Sequence, residues 1–128
     1  MTRMSMKLTG NRLATGDALK RVVERHAGPY LQRAGMIIEG GHKDETFKFR
    51  KTGTLSRSFS TSRPEWKGTR IRVEEGTNIV YARLQNEATK NSGYIKRGYD
   101  STKEAAKREV GRGMQEVARH LVGEAGRY

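Results

Sequence analysis

The chain has 128 residues and no cysteine, with 26 Lys and Arg against 14 Asp and Glu, for a formal net charge of +12 and a pI near 10.4. That length makes one domain with one two-layer core. The missing thiols exclude a disulfide framework, a cysteine nucleophile and a Cys-based metal or cluster site, and the charge asks for an acidic partner.

Apolar residues make up 34% and mean hydropathy is −0.86, so the core is thin and surface is left for other subunits to cover. The longest apolar runs, Met36-Ile37-Ile38 and Ile79-Val80-Tyr81-Ala82, fall far short of the roughly 20 residues that cross a bilayer. No apolar stretch follows Met1-Thr2-Arg3-Met4-Ser5-Met6-Lys7, as a secretory leader requires. The expectation is a protein that stays inside the cell that makes it and has no membrane partner.

Residues 1–14 mix Thr, Ser, Gly and Asn with Arg3, Lys7 and Arg12 and predict a flexible basic arm; residues 15–128 form the single domain. From Asp17 on, Leu19, Val22, Val23, Ala27, Tyr30, Leu31, Ala34, Ile37 and Ile38 recur at helical spacing, with Thr15 or Asp17 as cap. Gly28-Pro29 breaks the stripe without changing its phase, which predicts a kink or a break with resumption at Pro29. Gly40-Gly41 is the expected end of the helix.

Between His42 and Glu87 the period becomes two. Four strands are predicted: Phe47 to Arg50, Arg57 to Ser62, Arg70 to Val73, and Asn78 to Leu84. Arg63 to Gly68 is the expected hairpin loop, and Ala88 to Gly98 a longer loop. Ser101-Thr102-Lys103-Glu104 has the spacing of a capping box and opens a last helix, in which Ala106, Val110, Met114, Val117 and Leu121 keep helical spacing as far as Gly123. The fold class is therefore α+β: a long N-terminal helix, a four-stranded mostly antiparallel β-meander, and a C-terminal helix packed on the sheet.

A catalytic reading needs a nucleophile beside a base, two carboxylates in different environments, or a metal cluster. His26, His42 and His120 are isolated in the sequence. His42-Lys43-Asp44-Glu45 reads as a solvated loop after Gly40-Gly41, since a metal there would need ligands from elsewhere. His26 and His120 fall beside apolar stripes, where partial burial accounts for them. Glu74-Glu75 would point to opposite faces of a strand and reads as a charge pair flanking a turn. Gly111-Arg112-Gly113 lacks the spacing and the preceding strand of a phosphate fingerprint. No catalytic residue, metal ligand or cofactor is assigned.

The basic residues form two sets. Lys103, Lys107, Arg108 and Arg112 lie on the last helix with Glu104, Glu109 and Glu116 interleaved, as on a solvated face with i, i+4 pairs. Lys48, Arg50, Arg70 and Arg72 share the polar face of the predicted sheet, with Lys51 and Arg57 nearby and no acid at the alternating positions. Such a surface attracts a phosphate backbone without sequence preference, or an acidic protein.

Lys51-Thr52-Gly53-Thr54-Leu55-Ser56-Arg57-Ser58 resembles the T-G-x-L-x-x-S motif of the tail-completion or head-tail joining proteins at the neck of tailed phages, related to the virion morphogenesis proteins of Mu-like phages. Ile71-Arg72-Val73, Gly76-Thr77-Asn78 and Tyr81-Ala82 are similar to that family's strand, turn and Y-A strand. Arg97 and Tyr99 fit the arginine and aromatic before its C-terminal helix. The chain departs from the pattern at Ala88, where the family has glycine, and at Ile95 and Gly98, near which it has prolines. The motif residues Thr52, Gly53, Leu55, Ser58, Gly76, Tyr81, Ala82, Arg97 and Tyr99 have structural rather than catalytic parts: Gly53 for a positive φ, Leu55 as a core anchor, Ser58 for a local backbone group.

The resemblance implies a non-enzymatic virion protein at the head-tail interface, present in the host cytoplasm during assembly. It would form a ring, hexameric in that family's manner, that caps the tail and meets connector, adaptor and tail-tube proteins and, in the lumen, DNA without sequence specificity. Two other classes fit a small basic chain. One is a ribosome-dependent RNase toxin using Arg70, Arg72, Tyr81, Tyr94 and Lys96; the other is a nonspecific nucleic-acid-binding protein.

Overall fold

The computed structural model describes residues 2–7, 17–47, 54–68, 70–78 and 93–125. Over these residues the chain is a mixed α and β fold, with a long N-terminal helix, an antiparallel sheet and a long C-terminal helix. The order is β1 (Thr2–Lys7), α1 (Asp17–Phe47), α2 (Thr54–Ser58), β2 (Ser60–Thr61), β3 (Glu65–Lys67), β4 (Arg70–Gly76) and α3 (Tyr94–Ala125).

Helix α1 follows from its stripe: Val23, Ala27, Leu31, Ala34 and Ile38 are all buried, and Asp17 sits in the first turn, where a negative charge suits the helix dipole. The break expected at Gly28-Pro29 does not occur, since the helix runs on through both residues. Pro29 is on the exposed side while Gly28 is buried, with its bare backbone turned to Pro64. It also runs through Gly40-Gly41 to Phe47, because the glycine at 41 is the point where α3 comes against it.

The central strand is β4, whose inner face carries Ile71, Val73 and Glu75, all buried, between the more exposed Arg70, Arg72 and Glu74. On one side it pairs antiparallel with β1, from Thr2 opposite Glu75 to Lys7 opposite Arg70. The other side is shared: β3 pairs Trp66 with Ile71, and β2 pairs Thr61 with Glu75. The sheet is therefore three lanes wide, its third lane split by Ser62-Arg63-Pro64. Pro64 has no N–H to donate, and Ser62 bridges the gap through its amide to the Glu74 carbonyl at 2.8 Å.

Several expectations are corrected here. Thr2–Lys7 is a strand and not part of a flexible arm; the register sets Met4 opposite Val73 and Met6 opposite Ile71. Phe47 closes α1 instead of opening a strand, and is 57% exposed, while residues 48–50 lie outside the described residues. Of the strand expected at Arg57 to Ser62 only Ser60–Thr61 forms, since Arg57 and Ser58 belong to α2, which Leu55 anchors in the core. The expected hairpin loop contains a strand, β3, with the turn moved to Gly68 at φ 63°. Asn78 lies past the end of β4, and the rest of the strand expected to Leu84 is outside the described residues.

The C-terminal helix starts earlier than its capping box suggests. Gly93 at φ 81° turns the chain, and Tyr94, fully buried with Leu55 and Phe59, fixes the first turn. Ser101 is consequently inside the helix, its hydroxyl donating to the Gly98 carbonyl at 3.0 Å.

Helix α1 is the layer that covers the sheet, through Val23, Ala27 and Leu31 on Ile71 and Val73. Helix α3 was expected to lie on the sheet; its main partner is α1, beside which it runs antiparallel. Gly98 meets Gly41 at one end, Ala106 meets Ala34 and Ile38 in the middle, and His120 stacks on His26 at the other end with ring centroids 3.5 Å apart. Val110 and Val117 pack against the cluster that α1 forms with β4.

Trp66 packs against that same cluster, with Lys20 Nζ 5.4 Å from its ring centroid, while its buried Nε1 has no hydrogen-bond partner. Replacing Trp66 with Phe keeps an aromatic face and removes the unpaired donor, which partly offsets the lost area. Denaturant unfolding should show a loss under about 1 kcal/mol for Trp66→Phe and about 3 kcal/mol for Trp66→Ala.

Candidate functional site

Two features stand out, a sealed polar joint and an open groove. The joint is built from α1, β4 and α3. The stripe of α1 continues from Ile38 by one turn to His42, and the inward alternation of β4 continues from Val73 to Glu75. The two side chains meet with His42 1% and Glu75 0% exposed.

His42 Nδ1 lies 2.7 and 2.9 Å from the two Glu75 carboxyl oxygens, and Nε2 donates to the Ile95 carbonyl at 2.9 Å. A carbonyl only accepts, so Nε2 carries a hydrogen. Nδ1 and Glu75 then hold one proton between them, which leaves the pair neutral overall. Burial without such partners would cost several kcal/mol.

Aromatic and hydroxyl side chains close the joint. The Phe59 ring lies 5.1 Å from the His42 ring and meets Tyr94 edge-on at 6.4 Å. Thr46 donates to the His42 carbonyl at 2.8 Å, and Ser56 to the Lys43 carbonyl at 3.1 Å, tying α2 to the end of α1. At the rim, Arg97 Nε donates to Glu45 at 3.0 Å.

An acid–base histidine must present a nitrogen to its substrate. Both nitrogens of His42 are engaged inside the protein, so the arrangement holds three elements together. His26 and His120 lie face to face between α1 and α3. Among the described residues no three His, Asp or Glu side chains gather as a metal site, and no helix is long and apolar enough to cross a membrane.

The groove lies between β1 and α3 and encloses about 310 Å³. Ile38, Ala106 and Val110 line it, with Arg3 on the β1 side and Lys103 and Lys107 on the α3 side.

The residues expected from sequence to form a basic sheet face are only partly brought together. Arg70 and Arg72 lie on the outer face of β4, while Arg57 is exposed on α2. The absence of acids expected there does not hold: Glu74 lies 3.2 Å from Arg3 and 3.5 Å from Arg72, and Glu65 is opposite Arg72 in the register. Lys48, Arg50 and Lys51 lie outside the described residues. On α3, Lys107 with Glu104, Arg112 with Glu109 and Arg119 with Glu116 form i, i+3 pairs on the solvated side.

Of the motif residues, Leu55 is in the core with Phe59 and Tyr94. Ser58 donates to the Leu55 carbonyl at 2.6 Å and meets Thr77 Oγ1 at 2.5 Å, and Gly76 ends β4 opposite Ser60. Arg97 and Tyr99, expected to precede the last helix, are within α3, where Tyr99 packs against the Ala34, Ile38 and Ala106 cluster. Thr52, Gly53, Tyr81 and Ala82 lie outside the described residues.

The residues considered for RNA cleavage do not converge: Tyr94 is 0% exposed, Arg70 and Arg72 are on the outer sheet face, Lys96 is exposed on α3, and Tyr81 lies outside the described residues. His42 and Glu75 were read from sequence as loop and turn charges and are corrected to core residues. Their signal was present in the two periodicities that carry them inward. No family model, no curated protein and no solved structure matches the chain.

Proposed function

We infer that the chain is a non-enzymatic assembly protein, and that its place of work is the head-tail junction of a tailed phage, as a ring subunit between connector and tail. The ring, its hexameric order and the neighbouring connector and tail-tube proteins follow from the resemblance at Lys51 to Ser58 and from the order of elements. The observation that carries the assembly reading is where the apolar and polar groups lie. Both ring nitrogens of the buried His42 are held inside the protein, whereas Met36, Phe47 and Met114 stand 55%, 57% and 58% exposed on the two long helices.

Exposed large apolar side chains are features of a surface that other subunits cover. The charge of +12 suits acidic neighbours or DNA passing through a ring.

The test is mass spectrometry of tailed particles banded in a density gradient from the source lysate. The reading expects this chain to band with the particles at a few copies each. A chain left wholly in the soluble fraction would overturn it, and salt-dependent binding to plain duplex DNA would then favour the nucleic-acid reading.

A further inference from the structure

We propose that the groove between β1 and α3 seats an extended acidic segment of a partner protein, which adds as a further strand to the edge of β1 that no described residue pairs. The proposal does not depend on the phage reading, since it rests on the groove alone.

Among the described residues β1 is hydrogen-bonded on one side only, to β4. Its other edge presents backbone donors and acceptors that a further strand can use. The dimensions agree. Six residues of β1 extend about 20 Å at roughly 3.3 Å each, and α3 from Tyr99 to Met114, both lining the groove, covers about 22 Å at roughly 1.5 Å each. A segment of six or seven residues fills that length in extended form.

Alternation then sets the sequence of the occupant. Every second side chain of an added strand faces inward, onto Ile38, Ala106 and Val110, so these positions are apolar. The intervening side chains face outward between Arg3 on one side and Lys103 and Lys107 on the other. The residues lining the groove include these three cations and no acid. Each cation has an acidic neighbour just outside, Glu74 at 3.2 Å, Asp100 at 3.7 Å and Glu104 at 3.8 Å. The two lysine pairs are long and solvent-exposed, and such pairs contribute little and yield readily to a better-placed carboxylate.

The same charges argue against a second copy of this chain. Two β1 edges side by side would bring together two chains of net charge +12, and like charges across an interface are costly.

The probe is a fluorescein-labelled heptapeptide of alternating Asp and Val, read by fluorescence anisotropy with the full chain. A block peptide of the same composition, four Asp followed by three Val, is the control. The proposal expects the alternating peptide to bind at least tenfold more tightly than the block peptide. It also expects hydrogen exchange of the β1 amides to slow on binding. Lys103→Glu with Lys107→Glu should weaken binding at least tenfold while circular dichroism and melting stay unchanged; should that variant unfold, Met114→Glu, at an exposed lining position, serves in its place. Equal binding of the two peptides, displacement by duplex DNA at equal charge without any β1 protection, or no binding of the alternating peptide at millimolar concentration would each overturn the proposal.

Discussion

Gly41→Ala is expected to cost about 3 kcal/mol, and Gly40→Ala, one residue earlier, to add up to about 1 kcal/mol. Both positions are inside α1, where alanine is the better helix former, so propensity alone favours both changes. Packing separates them. A Cβ at Gly41 would overlap the Gly98 carbonyl oxygen and lie 2.7 Å from Thr102 Cγ2, while a Cβ at Gly40 meets nothing within 4 Å. The obstacle at Gly41 is the backbone of α3, which no rotamer change can move, so the two helices must separate and the joint at His42 opens with them. Denaturant unfolding of the two variants side by side checks the pair. Equal effects at Gly40 and Gly41 would mean that α1 and α3 do not touch there.

The second large effect is at the joint itself. His42→Ala and Glu75→Ala are each expected to cost about 3–5 kcal/mol, because each leaves one member of a buried pair without its partner. The double change His42→Leu with Glu75→Leu should recover most of that loss, since an apolar pair removes both polar groups together. The coupling energy from the double-mutant cycle should exceed about 2 kcal/mol. A solvated pair would give single losses below about 1 kcal/mol and no coupling. Chemical denaturation of the single and double variants measures all three quantities.

Helical spacing made α1 and α3 legible where apolar stripes are strong, from Leu19 to Ile38 and from Ala106 to Leu121. Their ends were misread because local signals point the other way. Gly40-Gly41 has the form of a helix stop, and Ser101 with Glu104 the form of a start, yet the contact of Gly41 with Gly98 and the burial of Tyr94 extend both helices. Strand β4 was visible in the alternation of Arg70 to Val73. Strand β1 was not, since six residues rich in Met, Thr and Ser are extended here by pairing with a strand distant in the sequence.

The joint was hidden for a related reason. Glu75 keeps the inward phase of Ile71 and Val73 but is charged, and His42 keeps the phase of Ile38 but follows two glycines. Each reads as a surface residue until the other is beside it. The groove depends on β1, so it could not be read before that strand was known.

The antiparallel pairing of α1 with α3 also bears on how the molecule is made. His42 and Ile95 are 53 residues apart in the sequence, and the stacked histidines, at the opposite end of the helix pair, are farther apart still. During synthesis α1 leaves the ribosome before α3, with one apolar stripe meant for the sheet and another meant for α3. The second stripe has no partner until most of α3 has followed. The nascent chain therefore carries that face uncovered from the completion of α1 until α3 has been made, and in that interval a chaperone can bind it.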